Sequence, residues 1–145
     1  LLSLILMYLR LEIGKNAPGR GRKFFIHLPV SVYLGWITVA TIANITALLV
    51  DSGWNGFGIS EVFWTVFVIA AAVIITQLVL FTRRDAGYAL VVVWALLGIF
   101  IKRRGIDVPP DLAVEIAAAA GMVITVFDIV YVKIKNRESG GGGTE

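Results

Sequence analysis

The run from Leu28 to Val50, LPVSVYLGWITVATIANITALLV, constrains this chain more than any other stretch. It is apolar enough to sit in lipid. Yet Pro29, Tyr33, Trp36, Thr38, Thr41, Asn44 and Thr46 all stand within it. In a bilayer, side chains that want hydrogen bonds are kept where they meet a neighbouring helix, a ligand or a water-filled cavity. What that polar stripe meets is therefore the question the sequence poses.

The run is not isolated. Apolar residues make up 58% of the chain and charged residues 16%, where a soluble domain carries about a quarter charged residues. This is the composition of an integral, multi-pass membrane protein. Its 145 residues fit one bundle and leave no room for a second domain. The net charge of +3 comes from short basic clusters between apolar runs. That pattern reads as membrane topology and contact with lipid headgroups, and it gives no reason to expect nucleic acid as a partner. With no cysteine, disulfides, iron–sulfur clusters and thiolate metal sites are excluded.

The expected fold is an all-α polytopic transmembrane bundle of four full spans and one partial N-terminal helix. The partial helix covers about residues 1–13. Its apolar part rises only about 14 Å against a hydrocarbon core of about 30 Å. It reads as the tail of a transmembrane helix whose beginning is missing. The loop that follows carries Arg10, Lys15, Arg20, Arg22 and Lys23, and Gly14, Pro18, Gly19 and Gly21 break any helix there. The full spans are expected at 24–50, 62–81, 86–101 and 112–134. The first reaches about 40 Å and must tilt or extend beyond the core. Pro29 falls in its first turns, where a missing amide hydrogen costs little.

Helix ends are marked locally. Ser60 followed by Glu61, and Asp111 before Leu112, read as helix starts. The 51–60 loop, DSGWNGFGIS, reads as a turn whose Trp54 and Phe57 suit the membrane interface. Residues 139–145 are Gly-rich and read as a flexible tail. The positive-inside rule places the 10–23 loop, the 83–85 turn and the C-terminus on one side. Lys102, Arg103 and Arg104 then fall on the other side, against the rule.

Chemistry-bearing residues are few. There is no nucleophile–base set, no phosphate-binding glycine loop and no facing pair of carboxylates, so no enzyme activity is expected. The sole histidine, His27, reads as a polar residue at the membrane interface. As a haem or chlorophyll ligand it would need to face a pocket, and no other metal site is expected. Asp128 is the unusual charge within a span, and an ionisable residue there is a functional hypothesis by default. With Gln77 it makes a candidate intramembrane polar site. A proton path would want several acids at graded depth on facing helices, which the sequence does not offer.

The stripe in the first full span says more. At helical spacing Tyr33, Trp36, Ala40 and Asn44 share one face, flanked by Thr38 and Thr41. Two readings stay open. One is helix–helix packing glued by Thr and Asn. The other is a groove for a flat, mostly apolar ligand oriented by a few polar groups.

Tyr33-Leu34-Gly35-Trp36-Ile37-Thr38-Val39-Ala40-Thr41-Ile42-Ala43-Asn44 resembles the last-helix signature of the TspO/MBR family, the tryptophan-rich sensory or translocator proteins. Tyr33, Leu34, Trp36, Ala40, Thr41 and Asn44 fall in register with that pattern, and Leu28-Pro29 resembles its preceding proline, displaced by three residues. Val39 stands where the family has an aromatic residue and Ala43 where it has Leu. In the family this helix comes last, whereas here three spans follow it, so the resemblance is to a divergent, extended relative. The resemblance implies a five-helix membrane bundle, often dimeric, that binds porphyrins or cholesterol as a sensor or transporter. It implies a tetrapyrrole ligand (haem, porphyrin or chlorophyll) and Tyr33, Trp36, Ala40, Thr41 and Asn44 as ligand-binding residues. The alternative is a non-catalytic accessory subunit of a larger membrane complex, pigment-containing or not, with the same face used for packing between copies or partners.

Overall fold

The structure is a computed structural model that describes residues 1–13, 23–105 and 111–141. The described residues form helices and turns, with no strand among them. The helices are α1 (Leu2–Arg10), α2 (Leu28–Asp51), α3 (Glu61–Arg83), α4 (Ala86–Arg103) and α5 (Leu112–Gly141). Four of them, over Phe25–Leu49, Glu61–Arg83, Ala86–Arg103 and Leu112–Asn136, are long and apolar enough to cross a membrane. This is the all-α polytopic bundle the apolar runs require. Most of the polar 10–23 loop and the end of the Gly-rich tail, 142–145, lie outside the described residues.

Local chemistry sets the helix ends. The Ser60 hydroxyl accepts from the Phe63 amide at 3.3 Å and caps α3. At the end of α3, Arg84 adopts a left-handed conformation and its amide returns to the Leu80 carbonyl. The Asp111 carboxyl group accepts from the Ala113 amide at 3.2 Å. A π-helical turn, Lys23–His27, leads directly into α2. Pro29 follows two residues later and has no amide hydrogen to offer the Phe25 carbonyl. A widened turn just before it is where the hydrogen-bond register can shift.

Helix α4 is central. It packs against α2, α3 and α5, and α3 also packs on α5. Gly87 lies against Leu28 and Ser31, and Gly35 against Tyr88 and Val91, so α2 and α4 run parallel. Gly121 against Val73 and Thr125 against Gln77 show that α3 and α5 are also parallel. Glycines permit the closest approaches: a Cβ on Gly35 would stand 3.1 Å from Val91 Cβ. The main core joins Tyr8, Leu34, Ile69, Tyr88, Val92, Leu96, Val114 and Ala118. This topology brings the end of α1, the start of α2 and the α3–α4 turn to one end. That is the end the basic loops mark. At the opposite end Arg104 pairs with Glu115 at 3.2 Å and lies over the Phe100 ring, so part of the 102–104 cluster is neutralised there.

Candidate functional site

The α2–α4 seam has an inner and an outer side. On α2, Ser31, Leu34 and Gly35 are buried. On α4, Tyr88, Ala89, Val92 and Leu96 are buried. With both helices parallel and Gly35 set on Val91, about 100° per residue fixes what each helix shows on the outer side. Trp36, one residue past Gly35, and Trp94, one turn past Val91, both fall there. Trp36 is 55% exposed and Trp94 is 68% exposed. Two indoles thus border the outer rim of one seam, at nearly the same height, over a floor that includes Gly35. Trp94 escapes notice in the sequence because it stands in an ordinary apolar run. Its signal is an indole in mid-span, away from the helix ends where tryptophan usually anchors.

The sequence-picked residues of α2 divide between its faces. Tyr33, Trp36 and Asn44 are exposed and Ala40 is half-buried, all on the outward side. Thr41 lies on the other flank, and its hydroxyl donates to the Ile37 carbonyl at 2.7 Å. Thr38 and Thr46 likewise bond back to Leu34 and Ile42. Serine and threonine do this routinely in helices. The Thr41 and Thr46 hydroxyls are used up locally and present mainly methyl groups, while the Thr38 side chain also bonds to Tyr88 across the seam. Asn44 is different: among the described residues its amide has no partner, and it stands amid exposed Ala43, Ile45 and Leu48.

His27 is 7% exposed and lies at the α2 entry on the side of Ser31 and Leu34, turned away from Trp36. Its Nε2 is buried without a hydrogen-bond partner among the described residues. No group of three or more metal-ligating side chains comes together among those residues.

Gln77 and Asp128 are not joined. The Gln77 amide nitrogen reaches Thr125 Oγ1 at 3.4 Å, and that hydroxyl donates to the Gly121 carbonyl at 2.7 Å. Gln77 Oε1 is buried without a partner among the described residues. Asp128 is half-buried, one turn beyond Thr125, and takes no part in the bond. Thr125→Val keeps the shape and removes the acceptor. It is expected to destabilise the α3–α5 contact by about 1 kcal/mol, the scale of interhelical hydrogen bonds in membranes. Unfolding titration in mixed detergent micelles measures this, and a curve superimposable on wild type would show that the bond contributes nothing.

A third polar cluster is invisible in sequence. Asp85, 8% exposed, accepts from the Tyr8 hydroxyl at 2.7 Å and from the Gly87 and Tyr88 amides at 3.0 and 3.2 Å. The Arg83 guanidinium lies 5.9 Å from the Tyr8 ring centroid. This cluster caps α4 and ties α1 to it, so its role is to hold the bundle.

A shallow depression of about 400 Å³ opens against α1, lined by Ser3, Leu6, Met7, Arg10 and Leu11. It shares no residue with the outer face of α2. No curated protein and no solved structure matches the chain. The sequence model of the family described as TSPO-like protein matches residues 1–131. That match takes in α1 to α4 and most of α5, far more than the Tyr33–Asn44 stretch that carries the resemblance. With nearly the whole helical bundle inside the match, the chain is a member of the TSPO-like protein family and an integral multi-pass membrane protein.

Proposed function

We propose that this TSPO-like protein binds a flat, mostly apolar ligand, a tetrapyrrole, on the outer face of α2 as part of a sensing or transport role. The observation that carries this is the unpaired Asn44 amide, in line with exposed Tyr33 and Trp36 on a membrane helix. An amide facing hydrocarbon alone is unfavourable, so its natural complement is a ligand or helix that offers a hydrogen bond. Tyr33 and Trp36 offer flat faces below it, and Trp94 across the seam supplies a second indole.

The residues fit a ring system by stacking and one polar contact. They do not fit axial ligation, because His27 is turned to the opposite side of the helix. A tetrapyrrole bound here, metallated or not, would be held by its faces and edge groups. Trp36→Ala is expected to weaken binding about tenfold, a loss of about 1.4 kcal/mol in line with one aromatic stack. Porphyrin quenching of the purified protein's tryptophan fluorescence reads this out. Because Trp36 is itself a reporter, the dissociation constant should come from the porphyrin absorption shift as well. Absence of binding by the wild type, or unchanged affinity in the variant, would refute the proposal.

A second reading rests on the same exposure: the face packs against another subunit. Tyr33, Trp36 and Asn44 lie on the open surface of the bundle, where a helix fits as readily as a ring. Co-purification of a stoichiometric partner that Trp36→Ala releases, with no porphyrin binding, would favour this reading.

A further inference from the structure

The loop between α2 and α3 is built more rigidly than a connector needs to be. Gly56, Phe57 and Gly58 all have positive φ, at 60°, 57° and 77°. For phenylalanine this left-handed conformation is unusual and strained. Bonds around it enforce the shape. The Asn55 side chain accepts from the Phe57 amide at 3.1 Å. The Gly58 and Ile59 amides return to Asn55 and Gly56. Trp64 Nε1 donates to the Gly56 carbonyl at 3.0 Å, which fastens the turn to α3. The result is a phenylalanine held outward, 78% exposed.

Its neighbours are aromatic. Trp54 meets Phe57 edge-on at 5.4 Å and Trp64 at 5.1 Å, and Trp64 meets Phe67 at 5.7 Å. Phe63 and Phe67 then lead, one turn at a time, into the exposed stripe Ala70, Ile74, Leu78 and Phe81 along α3. This stripe is the lipid-facing side of a membrane span. The aromatic cluster is therefore continuous with a surface already in lipid. The cluster itself carries no lysine or arginine, since none stands between Asp51 and Arg83; its surface is aromatic and apolar.

From this continuity we infer that the Trp54–Phe67 cluster is a rigid aromatic wedge whose partner is the bilayer itself. Phe57 at its tip sits at the boundary between headgroups and acyl chains, in the leaflet opposite the α3–α4 turn. Burial in that zone offsets the strain at Phe57, and it fixes how deep α2 and α3 ride. Aromatic rings favour this zone because one part is apolar and another is wet.

The chain has no cysteine, so Phe57→Cys and Phe63→Cys each give one labelling site for an environment-sensitive fluorophore. The labelled full chain is reconstituted in phosphatidylcholine vesicles with acyl chains brominated either near the carbonyl or near the terminal methyl. Interfacial insertion reaches about 5–10 Å below the headgroups, so the Phe57 label should be quenched about threefold more by the shallow bromine. The Phe63 label should also be quenched, with less bias toward the shallow position. Water-like emission and no quenching at Phe57 would place the tip outside the bilayer and overturn the inference. Shielded emission without quenching by either lipid would mean that protein covers the tip, and would overturn it equally.

Discussion

Asp85→Ala is expected to lower the stability of the solubilised protein by about 3 kcal/mol. Two losses add. Removing a helix N-cap costs about 1 kcal/mol, and here the cap accepts from both Gly87 and Tyr88. Removing the acceptor of the Tyr8 hydroxyl leaves a buried donor without its partner, at about 1–3 kcal/mol. Tyr8→Phe isolates the second loss and should cost less than Asp85→Ala, because the cap survives. Unfolding in detergent, followed by helical signal, measures both. A cost below about 1 kcal/mol for Asp85→Ala would mean that water replaces these bonds and that the site is open. Neither variant touches the outer face of α2. The porphyrin affinity proposed for that face, measured below the unfolding transition, should therefore not change.

The second large effect is at Gly121. A Cβ there would stand 2.8 Å from Val73 Cγ2 and 3.1 Å from Leu96 Cδ1. Both neighbours belong to packed helices, and valine in a helix has one strongly preferred rotamer. Gly121→Leu must therefore push α5 away from α3 and α4, at about 3 kcal/mol, the upper range for overpacking. The same shift would pull Thr125 from Gln77, since Thr125 lies one turn further along α5. The gain in helix propensity over glycine, about 1 kcal/mol, offsets only part of this. Adding Val73→Ala to Gly121→Leu should recover at least about 1 kcal/mol, because the nearest obstructing methyl is gone. If the double variant is no more stable than the single one, the close approach at Gly121 is not what holds the two helices.

The spans were legible because length and apolarity suffice to mark them. The expected 62–81 and 86–101 became Glu61–Arg83 and Ala86–Arg103, extended by charged ends that the apolar count leaves out. Ser60 and Asp111 were legible because a cap is a bond within one turn. The inward side of α2 was not. Lipid and protein core are equally apolar, so a membrane helix carries little of the periodicity that betrays a buried face in water. Tyr33, Trp36, Ala40 and Asn44 could be grouped by spacing, yet only packing shows that they point outward. Asp85 could be assigned to a tight turn, but its bond to Tyr8, 77 residues away, has no local trace. Gln77 drew attention for its depth, and its partner Thr125 looked like any other helical threonine.

The parallel pairing of α2 with α4 bears on how the protein is made. Helix α2 has its main partners in α1 and α4 rather than in its sequence neighbour α3. A chain emerging N-terminus first therefore delivers α2 to the membrane before its larger contact surface exists. Ser31 and Gly35 must wait in lipid until α3 has crossed back and α4 has returned. Only then can Asp85 take up the Tyr8 hydroxyl and close the group. Helix α5, which follows α4, seals α3 against α4. The pairing of α2 is thus non-local even though every element is a simple helix.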